Sequence, residues 1–459
     1  MKKFLLTVVA LAVIVLIAAL VYAFIPTSTP AIAGGEPAAS DAALIEQGRY
    51  LAAAGDCTAC HTAAGGQPFA GGLPIASPIG TIYSTNITPD ADTGIGQYSL
   101  DDFDRAVRHG ITPAGGTLYP AMPYPSYARM TDADVRALYA YFKHGVPAVK
   151  AQNRGTDIPW PLSMRWPLAI WRKTFAPDPH ATGFDATAYT DPQIARGAYL
   201  VQGLGHCGSC HTPRAQTLQE LALSEHGDKG TAYLSGGQVI DGWVAVNLRG
   251  NAADGLGDWS QQDIVDTLKT ARNPHAAVVG NAMADVVEHS TQHLSDADLK
   301  AMAAYLKTLP ASTGDASAFK ADPATATALQ SGINDSRGAE LYVDNCAACH
   351  RTDAEGYPHA FPRVAGNPSV LAPDPTTLVR LILAGSALPS TQAAPSNLGM
   401  PGFAWRLSDE EVAKLGTFVR NSWGNKAPEV SVAQVKAVRD SLAKDGAPHD
   451  PAQTDPGGK

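Results

Sequence analysis

The 459-residue sequence has no cysteine outside three short motifs, and it has only seven methionines. Nor is there an excess of basic residues. Lys and Arg total 34 against 43 Asp and Glu, a formal charge of −9, which argues against nucleic acid as a partner. G-x-S-x-G and H-E-x-x-H elements are missing, so the serine-hydrolase elbow and the zincin helix are both excluded. The strand–helix alternation of a parallel sheet is missing too, which leaves no thioredoxin-like setting for the cysteine pairs. One G-x-G-x-x-G match, at Gly203, Gly205 and Gly208, follows no predicted strand and overlaps a cysteine motif, so it is not read as a dinucleotide site.

What the chain does contain is Cys-x-x-Cys-His, three times over. The copies are Cys57, Cys60 and His61; Cys207, Cys210 and His211; and Cys346, Cys349 and His350. Two thiols at this spacing can each form a thioether to one vinyl group of a porphyrin, and the adjacent histidine then supplies one axial nitrogen to iron. A structural zinc site needs four ligands closing one tetrahedron. These pairs are spread along the chain, and each has its own histidine. The motifs therefore predict three covalently bound haem c groups.

At about 150 residues per domain, the length suggests three domains. Each motif is preceded by a short helix that carries a glycine, at Gly48, Gly197 and Gly338. A middle helix is predicted to start at Ser99, at Ser260 and after Asp374, with Pro375 at its first position. A closing helix is predicted after Thr131, Ser295 and Ser408, with Met130, Leu294 and Leu407 at the staple position. Its buried face repeats at i, i+3, i+4, i+7: Val135, Leu138, Tyr139, Phe142; Leu299, Met302, Ala303, Leu306; and Val412, Leu415, Gly416, Val419. The expected architecture is all-α, with three tandem domains holding long Gly/Pro loops.

Residues 4–25 lack charge and follow Lys2 and Lys3. At about 1.5 Å per residue they can cross a bilayer core of roughly 30 Å. Length favours a retained N-terminal transmembrane helix over a signal peptide cleaved at Ala31-Ile32-Ala33. The lysines would stay cytoplasmic and the remainder would lie in the periplasm. The expected division is an anchor at 1–25, a linker at 26–40, a first domain at 41–150 and a Trp/Pro-rich linker at 151–186. A second domain follows at 187–311, a linker at 312–333, a third domain at 334–424 and a polar, partly disordered tail at 425–459. The Trp160, Trp166 and Trp171 segment reads either as packing between the first two domains or as a docking surface.

Methionines decide what each haem can do, because a sulfur in the sixth position makes the iron an electron carrier, whereas an open position admits small molecules. Met130 and Met302 fall at core positions, and Met164 reads as packing. Met122, Met283 and Met400 remain, one per unit, each 8 to 12 residues before its closing-helix cap. Prolines flank Met122 and follow Met400, which stiffens those loops. Met283 has no such prolines, and His275, His289 and His293 are its rivals. These three, with His109, His144, His206 and His359, are otherwise read as surface or hydrogen-bonded histidines.

Three further strings complete the pattern: Tyr83-Ser84-Thr85-Asn86-Ile87-Thr88-Pro89, Tyr119-Pro120-Ala121-Met122-Pro123-Tyr124-Pro125-Ser126-Tyr127, and Gly205-His206-Cys207 through Thr212-Pro213-Arg214. With them, and with the Trp-Pro linker, residues 41–424 resemble the tri-haem cytochrome c subunits of membrane-bound bacterial alcohol, gluconate, sorbitol and fructose dehydrogenases. The resemblance implies three tandem class I cytochrome c domains, with Met283 and Met400 where that family's second and third distal ligands are expected. It implies a partner catalytic subunit carrying pyrroloquinoline quinone, flavin or a molybdenum cofactor. Electrons would pass to ubiquinone or a terminal oxidase at the inner membrane. Several members have a cleaved signal and touch the membrane through the C-terminal region; here the N-terminus looks like the anchor. A haem enzyme of peroxidase or reductase type, with one open iron, is the competing reading. A haem-based sensor is a third, but no signalling segment precedes the anchor.

Overall fold

The structure is a computed structural model, and it describes residues 1–181, 183–278, 280–312 and 319–444. It is mostly helical and divides into two compact units. One comprises Met1–Ala186 with Gln202–His206; the other comprises Thr187–Val201 with Cys207 onward.

One scheme is built three times. A leading helix (Ala42–Ala54, Pro192–Tyr199, Arg337–Asn345) is capped by Asp41, Asp191 or Ser336, whose side chain accepts a backbone N–H of the first turn. A closing helix (Asp132–Ala140, Asp296–Thr308, Asp409–Arg420) starts at the predicted Thr131, Ser295 and Ser408, each accepting the N–H three residues on. The staple residues Met130, Leu294 and Leu407 are buried, as are the predicted core faces. Middle helices run over Leu100–Val107, Gln261–Thr270 and Thr376–Ala384. Ser99 and Ser260 form full capping boxes with Asp102 and Asp263. In the third copy Pro375 is the cap itself rather than the first helical residue, and Asp374 Oδ1 accepts Thr376 N–H at 2.9 Å.

Leading and closing helices pack against each other in all three copies, and the repeated glycine sits at the crossing. A Cβ built on Gly48 would lie 1.9 Å from Ala137 O; on Gly197, 1.9 Å from Ala301 O; on Gly338, 2.6 Å from Lys414 O. Only a residue without a side chain lets the two backbones approach this closely.

Several segments depart from the sequence expectation. Each copy adds one short antiparallel hairpin, pairing Pro74–Ser77 with Gly80–Tyr83, Val239–Ile240 with Trp243–Val244, and Ser386–Ala387 with Gly399–Met400. Two to four residues per strand are too few for a period-2 pattern to show. The 26–40 linker is held to the first unit: Glu36 accepts Leu100 N–H at 3.3 Å, Arg136 reaches the Gly35 carbonyl, and Ile32 is buried. Within the 312–333 linker, Ala324–Gln330 is helical with Leu329 buried in the third core; residues 313–318 lie outside the described residues.

The polar tail is revised for its first part. Val432–Lys444 forms a helix whose Val435, Val438 and Leu442 join the third hydrophobic core; residues 445–459 are not among those described. Burying such side chains stabilises by about 1.5–3 kcal/mol each. Leu442→Ala is therefore expected to destabilise the second unit by about 2–5 kcal/mol in a chemical melt, and an unchanged midpoint would show that this helix is an appendage.

Lys2–Phe24 is one continuous apolar helix, long enough to cross a membrane, with nearly every side chain exposed. The Trp/Pro segment forms a helix over Trp166–Phe175 that packs on its C-terminal end. Lys173 Nζ donates to Tyr22 O and to Ile25 O (2.7 Å), which satisfies carbonyls left open at the last turn of that apolar helix. Trp171 meets Tyr124 edge-on at 6.3 Å. Trp160 stays 79% exposed, and Met164, expected to pack, is 38% exposed.

In the second unit the second and third copies share a seam. Arg272, buried, donates to Ser396 O at 2.8 Å and His359 O at 3.2 Å, and Val244 N–H reaches Thr377 Oγ1 at 2.8 Å.

Candidate haem sites

Each Cys-x-x-Cys-His motif is a single short helical turn: Cys57–His61, Gly208–His211 and Ala347–His350. The turn closes early, with His211 N–H on Cys207 O and His350 N–H on Cys346 O, both at 2.9 Å. That winding brings the two sulfurs and the imidazole of each motif to one side of a turn.

All three histidines are oriented alike. His61 Nδ1 lies 2.7 Å from Thr85 O, His211 Nδ1 2.7 Å from Val246 O, and His350 Nδ1 2.8 Å from Pro362 O. A carbonyl only accepts, so Nδ1 must carry the proton, and the lone pair of Nε2 is left to face a metal. Burial holds all three imidazoles below the ordinary histidine value, against the opposing pull of that hydrogen bond. Burial thus favours the neutral imidazole in each copy. Burial likewise pushes the thiols of Cys57, Cys207 and Cys346 up to about 12.

The third copy shows what the motif faces. Cys346, Cys349, His350 and Met400 line one crevice with Leu378 and Ile382, and the seam contributes Ala277 to its wall. Apolar side chains make up most of its wall, Val364, Val370, Leu378, Ile382 and Leu398 among them, which suits a largely hydrophobic cofactor edge. Two thiols, an oriented imidazole and a thioether around an apolar slot are the donor set that a covalently held haem requires. The residues present fit the group.

Met400 is fixed by its backbone. It pairs with Ser386 in the short hairpin, and Gly385, at φ +69°, lets the chain pass so close that a Cβ there would lie 2.2 Å from Met400 O. Met122 is half-buried in a tight turn, with Met122 N–H on Tyr119 O at 3.2 Å and Tyr124 N–H on Met122 O at 2.8 Å. Met283 differs: it lies on a helix, Asn281–His289, against Ala271, Val278 and Val287. Its rivals are engaged elsewhere. His275 stacks on Trp259 at 5.5 Å, His293 Nε2 is 3.0 Å from Glu288 O, and His289 groups with Asp285 and Glu288. His206 lies half-buried beside Tyr127, and His144 and His359 are exposed. His109 is buried in a cluster that sequence reasoning did not foresee.

Three helical copies with leading–closing helix crossings, each carrying a Cys-x-x-Cys-His turn with an oriented imidazole, define a multi-haem c-type cytochrome. The chain belongs to the cytochrome c family, whose model matches residues 45–145, 194–310 and 336–423. It carries three covalent haem c groups. Over 405 residues it is 56% identical to the gluconate 2-dehydrogenase cytochrome c subunit of Pantoea cypripedii, covering 88% of this chain and 90% of that one. It is 52% identical over 401 residues to the cytochrome c subunit of the quinone-type alcohol dehydrogenase of Gluconobacter oxydans, covering 87% and 83%. With the fructose dehydrogenase cytochrome subunit of Gluconobacter japonicus the figure is 39% over 420 residues, covering 88% and 84%.

Proposed function

We propose that this chain is the electron-relay subunit of a membrane-bound dehydrogenase complex. A catalytic partner carrying pyrroloquinoline quinone, flavin or a molybdenum cofactor oxidises the substrate, and this chain passes the electrons to ubiquinone or a terminal oxidase. Lys2–Phe24 anchors it in the inner membrane, with the haem domains in the periplasm. The observation that carries the reading is the third crevice, where Met400 lines the same slot as Cys346, Cys349 and His350. Bound haem supplies one-electron redox chemistry at an iron that cycles between two oxidation states.

The residues do the rest. Cys57 and Cys60, Cys207 and Cys210, and Cys346 and Cys349 hold the three groups. His61, His211 and His350 are the proximal ligands, and Met122, Met283 and Met400 the distal ones. The apolar crevice wall and the fixed imidazoles tune each site through burial and ligand orientation. The relatives' names support a dehydrogenase partner.

The test is co-purification of the anchored chain with a dehydrogenase, followed by substrate-driven reduction of its haems within the complex. A chain that isolates alone, and whose haems stay oxidised in the presence of every candidate dehydrogenase and substrate, would sink the reading. A narrower prediction concerns the third site. The double variant Cys346→Ser, Cys349→Ser should lower the haem-to-protein ratio from three to two, measured by pyridine haemochrome against protein mass.

A further inference from the structure

We infer that the first unit contains a site for a divalent transition-metal ion of the Zn²⁺ type, held by Asp104, His109 and His180 and separate from the haem ligands. The ligand atoms of these three side chains all lie within 4.8 Å of one another. Asp104 and His109 come from the end of the middle helix Leu100–Val107 and the turn after it. His180 comes from an exposed turn beyond the Trp166–Phe175 helix, a turn closed by His180 N–H on Asp178 Oδ1 at 3.0 Å.

Two observations point to a ligand rather than to a structural ion pair. The His109 side chain is 4% exposed, and its Nε2 has no hydrogen-bond partner. That nitrogen stands 3.6 Å from Asp104 Oδ2. Such a separation is too long for a hydrogen bond. It is close to the edge of a zinc tetrahedron, since donors at about 2.0–2.1 Å from the ion stand roughly 3.4 Å apart. A buried polar atom with no hydrogen bond within normal distance is costly, and a metal between it and Asp104 would remove that penalty.

The charge also suits a cation. Arg108 takes Asp104 Oδ1, and the same guanidinium reaches Asp132 at 2.8 Å, so one positive group is shared between two carboxylates. Asp104 Oδ2 thus remains for monodentate binding. Two histidines and one carboxylate, with a fourth position for water, form a familiar zinc donor set. Only His180 has to move inward, and it is on the exposed turn. Such an ion would tie the first cytochrome copy to the segment whose Lys173 holds the end of the membrane helix.

The experiment uses the full-length, haem-loaded chain in detergent, with Zn²⁺ as the only added metal, read by calorimetry and by metal counting after dialysis. The expected result is one Zn²⁺ per chain, with His180→Ala weakening binding tenfold or more and leaving haem content and visible spectrum unchanged. His180 is exposed, so that variant tests the site without disturbing the core; His109→Gln should lose binding as well. The Asp285, Glu288 and His289 group, with Asp285 and His289 exposed and Glu288 half-buried, is the control. The proposal is overturned if the parent chain binds no Zn²⁺, if His180→Ala weakens binding less than tenfold, or if His289→Ala abolishes it instead.

Discussion

Gly197→Val should strongly destabilise the second cytochrome copy. The built Cβ alone falls 1.9 Å from Ala301 O, 2.5 Å from Ala301 C and 2.8 Å from Tyr305 Cβ. The obstacle is a carbonyl inside the closing helix, which cannot swing aside as a side chain would. Overpacking a core that can relax costs about 1–3 kcal/mol, and here relief requires the two helices to separate. The expected loss is at least about 3 kcal/mol, a large part of the roughly 5–15 kcal/mol that holds a domain together. Haem content and a far-ultraviolet melt would report it. Gly155→Val is the matched control, since nothing lies within 4 Å of its built Cβ. Equal melting of the two variants would refute the account of the helix crossing.

Met400→Ala should convert one electron-carrying haem into one that binds carbon monoxide. The proposed sulfur ligand lies on a strand pinned by Ser386 and lines the crevice together with His350. Alanine at that position leaves nothing on this strand residue able to reach the metal. The reduced variant should therefore take up carbon monoxide at one of its three haems, where the parent takes up none quickly, and the midpoint potential of that haem should fall. Fold should be retained, since the hairpin pairs through its backbone. If carbon monoxide binding in the variant matches the parent, Met400 is not the sixth ligand. Rapid binding by the parent itself would favour the reading of a haem enzyme, and the helix-borne Met283 would be the first place to look.

The parts of this fold that could be read from the sequence are those governed by short-range chemistry. Caps at Ser99, Thr131, Ser260, Ser295 and Ser408 fell where side-chain oxygens precede a turn needing acceptors. The haem motifs could be read because their spacing is set by a covalent geometry. The 432–444 helix was legible in principle: Val435, Val438 and Leu442 lie at i, i+3 and i+7, but the surrounding polar residues hid them. The hairpins, the docking of residues 26–40 and the Asp104–His109–His180 cluster depend on contacts between distant positions. No local pattern records those, and His180 lies in what reads as a linker.

Arg272 has an evolutionary consequence. Its hydrogen bonds across the seam go to main-chain carbonyls, those of His359, Ala394 and Ser396. A carbonyl is the same whatever residue carries it, so the facing loop is free to change its amino acids as long as its path is kept. Insertions or deletions there should be purged, whereas substitutions drift. Recombination between related genes within residues 312–333 would join an arginine to a loop of foreign course, so the second and third copies are expected to be inherited as a block.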